Sequence, residues 1–219
     1  MQADFWLQRW REGRTGFHRD APMPLLVEHW PSLKLAAGSR VLVPLCGKTL
    51  DMIWLAARGH RVLGVELSPL AVRQFLDENN LRADVHDSPL GRHYRAGSIE
   101  IIQGDAFALD DTTLASCDAV YDRAAVIALP ADMRRRYARD LYARLRNGCR
   151  GLMITLDYPQ AEMEGPPFSV DSGEVQSLFG DSFEIERLAH RDILASQPGF
   201  TEAGVTSLHT DVFTLHRRP

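Results

Sequence analysis

The sequence predicts a doubly wound α/β fold with a mostly parallel, seven-stranded sheet and an antiparallel C-terminal edge. Three observations carry that prediction. The stretch VLVPLCGKTLDMIWLAARGHRVLGVELS, Val41 to Ser68, reads as strand, tight loop, helix and strand, closed by the acidic Glu66. Strands and helices then alternate, as crossover-connected parallel strands require. Two late strands follow the five that alternate with helices, which suits an antiparallel hairpin at the sheet edge.

In order along the chain, Val41 to Val43 form a buried strand bounded by Pro44 and Gly47. Leu50, Ile53, Trp54 and Ala57 recur at helical spacing until Gly59. Val62 to Val65 make the second strand. Ser68 caps and Pro69 opens a helix whose face carries Ala71, Val72, Phe75 and Leu76. The polar stretch from Asp77 to Ala96 has turn chemistry and little periodicity, so no regular element is expected there. Ile99 to Ile102 form a strand ending in Gly104, Asp105 and Ala106, and Ala119 to Tyr121 form another ending at Asp122 and Arg123. A long helix is expected from about Ala131 to Arg146, with Met133, Tyr137, Leu141 and Leu145 as its apolar stripe and Arg134 to Arg136 facing solvent. Leu152 to Leu156 make a strong buried strand. After GPPFS, a helix near Glu174 to Phe179 precedes strands at Phe183 to Leu188 and Asp211 to Leu215.

Composition narrows the function. A chain of 219 residues that is 45% hydrophobic can bury one substantial core, and we read residues 1–219 as a single domain, with 38–219 as its α/β body. A net charge of -4 gives no long-range attraction to phosphate backbones, so nucleic acid is not the expected partner. The N-terminal MQADFWLQRWREGRTGF lacks an apolar core, and the longest apolar run, Met52 to Ala57, is far too short to cross a bilayer. Cys46, Cys117 and Cys149 lack the paired spacing of a disulfide framework or zinc site, which fits a reducing, cytoplasmic setting.

In such sheets ligands bind outside the carboxyl ends of the strands, which points to Leu45 to Lys48, Glu66, Asp105, Arg123 and the loop after Leu156. Glu66 follows Gly47 at close to the roughly 20 residues at which a carboxylate meets a ribose. The loop lacks the G-x-G-x-x-G pattern that closes around a pyrophosphate, which disfavours a dinucleotide and an NAD-dependent dehydrogenase. S-adenosylmethionine has the ribose without the phosphates. Cys46 is read as a small buried residue rather than a nucleophile, and His209 with Asp211 as a surface strand pair without a third metal ligand.

The segments VLVPLCGK, LGVELS, YDRAA and GPPF, with Trp10 followed by Thr15, Gly16, Phe17 and His18, together resemble the thiopurine S-methyltransferase family. PLCGK in place of a glycine-rich loop makes this more specific than a likeness of fold. The likeness runs from about Phe5 to Phe179. It implies a Rossmann-like class I methyltransferase using S-adenosylmethionine to methylate thiopurines and related aromatic thiols in the cytoplasm, as a detoxification of foreign compounds by a monomer. By the same resemblance Trp10, Leu45, Glu66 and Arg123 contact the cofactor, and Asp105 and Ala106 lie beside the adenine. Phe17 forms one substrate wall, also with Arg123, and Pro166, Pro167 and Phe168 form the other. Trp10 and the segment from Gly13 to Phe17 would act as a lid within residues 1–30. No acid, base or metal is assigned. Competing readings are methylation of another soft nucleophile (a small thiol, a selenium or tellurium species, halide) and a non-catalytic binder of the same cofactor.

Overall fold

A computed structural model of the chain describes residues 3–219. Its sheet has nine strands: β1 (Arg40–Pro44), β2 (Arg61–Glu66), β3 (Asp84–Ser88), β4 (Gly91–Ala96), β5 (Ile99–Gln103), β6 (Ala119–Arg123), β7 (Arg150–Asp157), β8 (Phe183–Asp192) and β9 (His209–Arg217). They lie in the order β3-β4-β5-β2-β1-β6-β7-β9-β8. The five central strands, β5-β2-β1-β6-β7, are parallel, and β9 and β8 complete one edge antiparallel, as expected.

The seven expected strands are all present, and β3 and β4 are additional. They form an antiparallel hairpin on the opposite edge. Every residue of β3 is exposed or half-exposed, and β4 buries only His93 and Ala96. With so little apolar surface to hide, neither strand shows the alternation by which a half-buried strand is recognised. A tight approach fixes the turn: Gly91 has φ +130°, and a Cβ there would meet the Gln103 carbonyl oxygen at 2.2 Å.

Helices cover both faces of the sheet. On one side α2 (Pro24–His29), α3 (Asp51–Ala57) and α4 (Pro69–Glu78) bring Leu26, Met52, Leu55, Val72 and Phe75 onto Val41, Val43, Val62, Leu152 and Ile154. On the other, α5 (Asp111–Ala115), α6 (Ala131–Asp140) and α7 (Ser172–Phe179) pack Leu114, Tyr137, Val175 and Phe179 against Leu42, Leu63, Val120 and Met153. α1 (Ala3–Arg11) lies over the carboxyl ends of the strands, and α8 (Pro198–Glu202) sits between β8 and β9. Ser68 caps α4 as expected, its Oγ accepting from the Ala71 N–H at 3.2 Å.

The helix expected over 131–146 is shorter. α6 stops at Asp140, because Leu141 leaves helical geometry (φ -117°, ψ -61°), and one 3-10 turn, Tyr142–Arg144, continues the path. That break turns Tyr142 inward beside Tyr137. The arginines of α6 also divide: Arg134 is buried, donating to both Glu174 carboxylate oxygens (2.7 and 3.1 Å) and to the Leu129 carbonyl (2.8 Å). Only Arg135 is a simple solvated residue, since Arg136 lies over the Phe107 ring at 4.6 Å. Among the described residues no helix is long and apolar enough to cross a membrane.

Candidate active site

A cavity of about 860 Å³ opens at the carboxyl ends of the central strands. Its floor begins where β1 ends. Leu45 (φ +50°) and Gly47 (φ +53°) both take left-handed backbone, which is costly for leucine and folds the Leu45 to Thr49 loop back across the sheet. The Cys46 N–H donates to the Val65 carbonyl at 3.0 Å and the Gly47 N–H to Glu66 Oε2 at 2.8 Å, so the loop is pinned to the end of β2. Glu66 Oε1 accepts from the Ser68 N–H at 2.7 Å. The carboxylate is only 7% exposed, and burial raises its pKa against the lowering effect of these backbone donors. Gly47 and Ser68 donate to different oxygens, which leaves the carboxylate acceptor capacity that suits a pair of ligand hydroxyls.

At the end of β5, Asp105 caps a short 3-10 turn, its carboxylate accepting from the Phe107 N–H at 2.9 Å. Ordinary turn chemistry accounts for that carboxylate, while Gly104, Asp105, Ala106 and Phe107 together still wall the cavity. At the end of β6 the neighbours Asp122 and Arg123 do not pair with each other. Asp122 is fully buried and turned inward, accepting from Tyr137 Oη (2.9 Å), Tyr142 Oη (2.8 Å) and the Val126 N–H (3.0 Å). Arg123 is left half-buried on the cavity wall, and among the described residues no carboxylate lies within ion-pair distance of it. The next residue, Ala124, is again left-handed (φ +59°), so two of the contributing strand ends carry strained backbone.

The N-terminal segment closes one side. Trp10 is buried, and a Cβ on Gly47 would meet its Cζ2 at 3.2 Å, so the indole rests directly on the loop. Phe17 stands edge-on to Trp10 and Trp6, with ring centroids 5.6 and 5.9 Å apart. Pro166 and Pro167, each preceded by a cis peptide bond, line the cavity. Phe168 does not: its N–H is drawn to the Ile127 carbonyl (2.7 Å) and its ring lies under the Arg134 guanidinium at 5.7 Å. Arg191 reaches the rim, paired with Glu28.

Cys46 is buried and its thiol is pushed well above its usual range by burial and the Glu66 charge, which removes the thiolate a nucleophile needs. The pair read as a surface strand feature is not one: Asp211 is fully buried, hydrogen-bonded to His190 Nδ1 at 2.9 Å, and the His190 and His209 rings stack at 4.2 Å. Asp157 stands close enough to Asp211 and His190 to complete a ligand trio, but the Arg187 guanidinium, 3.6 Å from Asp211 Oδ1, already supplies the positive charge. Sequence reasoning also passed over Asp51, Tyr121, Phe107 and Arg136, all on the cavity wall. Asp51 and Tyr121 carried no distinguishing signal, being a first-turn acid and a strand aromatic; Arg136 was masked by its arginine neighbours.

The sequence model of the thiopurine S-methyltransferase family matches residues 1–218, so the likeness continues through the C-terminal hairpin, past Phe179. A thiopurine S-methyltransferase of Xanthomonas campestris pv. campestris (strain 8004) is 62% identical over 217 residues, covering 99% of this chain and 100% of the relative. One from Bordetella pertussis is 60% identical over 217 residues, covering 99% of each. The fold matches the Burkholderia thailandensis 1,6-didemethyltoxoflavin-N1-methyltransferase, solved with S-adenosylhomocysteine, at a TM-score of 0.65 and 16% identity, covering 99% of this chain and 87% of that one. An S-adenosylmethionine-dependent methyltransferase of Anabaena variabilis gives 0.65 at 14% identity, covering 99% and 95%. A family match over residues 1–218 and 60–62% identity to these relatives, on a class I methyltransferase fold with a buried carboxylate at the end of β2, mean that this chain belongs to the thiopurine S-methyltransferase family and is an enzyme that uses S-adenosylmethionine.

Proposed function

We propose that the enzyme methylates the sulfur of thiopurines and related aromatic or heterocyclic thiols, as a cytoplasmic enzyme acting on small molecules. The observation that carries this reading is the character of the cavity. Much of its wall away from Glu66 is aromatic and aliphatic (Phe17, Ile127, Leu129, Pro166, Pro167, Phe200), and Arg123, with no carboxylate partner among the described residues, is one of the cations that line it. Flat apolar walls beside a cation suit a planar ring bearing an anionic sulfur. They suit a small hydrated oxyanion or halide less well, because apolar walls do not replace its water.

Bound S-adenosylmethionine supplies a methyl group on an already activated leaving sulfur. The chain's own residues have to bind, align and exclude water. Glu66 accepts the ribose hydroxyls; Leu45 packs where the loop turns; Asp105 and Ala106 border the adenine. Trp10, resting on Gly47, presents an aromatic face to the cofactor's positively charged end. Phe17 and Pro167 sandwich the substrate ring, and Arg123 serves at the boundary between cofactor carboxylate and substrate sulfur. An arginine stabilises the thiolate without taking a proton, so no general base is required of it.

The test is methyl transfer to 6-mercaptopurine by the purified protein, read as the mass of the product. S-methyl purine that disappears with Glu66→Ala supports the reading. Cofactor binding without that product, and turnover of a small aliphatic thiol or of selenite instead, rejects it in favour of another soft nucleophile.

A further inference from the structure

Asp51 is a buried charge that the reading above does not use. Only 1% of it is exposed, yet it borders the cavity at the start of α3, just after the Leu45 to Thr49 loop. Its Oδ1 accepts from the Met23 N–H at 2.7 Å and its Oδ2 from Tyr121 Oη at 2.9 Å. Among the described residues no lysine, arginine or histidine pairs with it, and the nearby loop cation, Lys48, is committed to Glu78 at 2.6 Å. A carboxylate withdrawn from water without a cationic partner is expensive, and two neutral donors offset that only in part.

Arg123 presents the converse situation on the same wall. It follows Tyr121 by two residues on β6, and its charge is felt at the Tyr121 hydroxyl, the group that holds Asp51. The cavity thus carries an unpaired cation and an unpaired anion at one end, neighbours that do not pair with each other. An α-amino acid end, with its own carboxylate and ammonium, is the complement of that arrangement.

We propose that Asp51 receives the ammonium group of the cofactor's methionine portion, with Arg123 opposite it for the carboxylate. Tyr121 is then a positioning residue: burial and the Asp51 charge keep its hydroxyl protonated, so it donates to Oδ2 and fixes the carboxylate's direction. The competing explanation is a purely structural latch, in which Asp51 ties the entry to α2 to the end of β6 and draws support from the first turn of α3.

The inference rests on the cofactor reading of this cavity, and calorimetric titration of the full-length protein separates the two. The probes are S-adenosylhomocysteine and its deaminated analogue, S-adenosyl-4-thiobutyrate, which keeps the carboxylate and lacks the ammonium. Wild type should prefer S-adenosylhomocysteine by at least about tenfold, the usual size of a charged hydrogen bond. In Asp51→Asn, which retains an acceptor for the Met23 N–H, that preference should collapse to within about twofold while the deaminated analogue binds as before. A latch predicts instead that both ligands weaken together. Equal affinity of wild type for the two ligands overturns the proposal without any variant having to fold, and so does an undiminished preference in Asp51→Asn. Failure of wild type to bind S-adenosylhomocysteine at all overturns the cofactor reading and this proposal with it.

Discussion

In the proposed cofactor site Glu66 would hold two duties in one carboxylate, and they respond to pH with opposite signs. Burial raises its folded-state pKa above the ordinary 4.5, so the folded protein binds its proton more readily than the unfolded chain does. Its contribution to stability is therefore full below about 4.5 and is lost as pH rises through the raised value. Ribose capture needs the ionised form, so affinity for S-adenosylhomocysteine should fall as pH drops through that same window. Titrations across the acidic range should show the decline in wild type and a flat profile in Glu66→Gln; a decline that persists in the variant assigns it elsewhere. Glu66→Gln also turns an N–H toward a backbone donor, Gly47 or Ser68, and should weaken binding by roughly 10- to 100-fold. Cys46 offers a contrasting prediction. Its thiol is pushed up by burial and its Sγ fills the space a Gly64 side chain would need, so Cys46→Ala should leave kcat within about twofold and show only a packing loss. A kcat reduced by orders of magnitude in a folded Cys46→Ala protein would reject that assignment.

At the scale of elements, the end of β6 is held by three donors from outside the strand. Asp122 takes Tyr137 from α6, Tyr142 from the 3-10 turn after it and Val126 from the following loop, and burial raises its pKa while holding both phenols well above their usual range. The early end of α6 at Asp140 is what lets Tyr142 reach this carboxylate. Tyr137→Phe and Tyr142→Phe should each cost about 1–3 kcal/mol in denaturant unfolding, and more together than the sum of the two, since the second removes the last phenol from a buried carboxylate oxygen. Cofactor affinity should fall in parallel, because Arg123 is the next residue on the strand; additive losses of stability with unchanged affinity would show that the tyrosines do not position it. The N-terminal helix answers to a different test. α1 buries only Trp10 and meets the body through Trp10, Trp6 and Phe17 over the Gly47 loop. Deleting residues 1–17 should leave the far-ultraviolet circular dichroism and cooperative unfolding intact while abolishing measurable cofactor binding. Unchanged affinity in the truncated protein rejects a lid.

For the molecule as a whole, what could be read in the sequence follows from how much surface each element hides. The parallel strands are buried on both faces, so Val41 to Val43 and Leu152 to Leu156 are unmistakable, and the acids and the arginine at their ends fall where the topology puts ligands. β3 and β4 hide almost nothing and left no pattern. Leu45, Glu66 and Arg123 were legible because strand ends are fixed by the strands. Asp51 and Arg136 were not, because their place on the cavity wall depends on how helices α3 and α6 dock on the sheet. The same geometry determines how ligand binding should couple to folding. The cavity is walled by the ends of β1, β2, β5, β6 and β7, strands shared by both core layers, so no part of its floor can open without disturbing the central sheet. Binding should then stabilise the protein globally. At S-adenosylhomocysteine concentrations about 100 times Kd, linkage gives about 2.7 kcal/mol. For a chain of this size that is a Tm increase of about 5–10 °C in one cooperative transition. Glu66→Ala should lose that increase at the same ligand concentration. Differential scanning calorimetry decides the matter: a second transition that alone responds to ligand would mean that the cavity floor unfolds apart from the sheet, contrary to what its shared cores require.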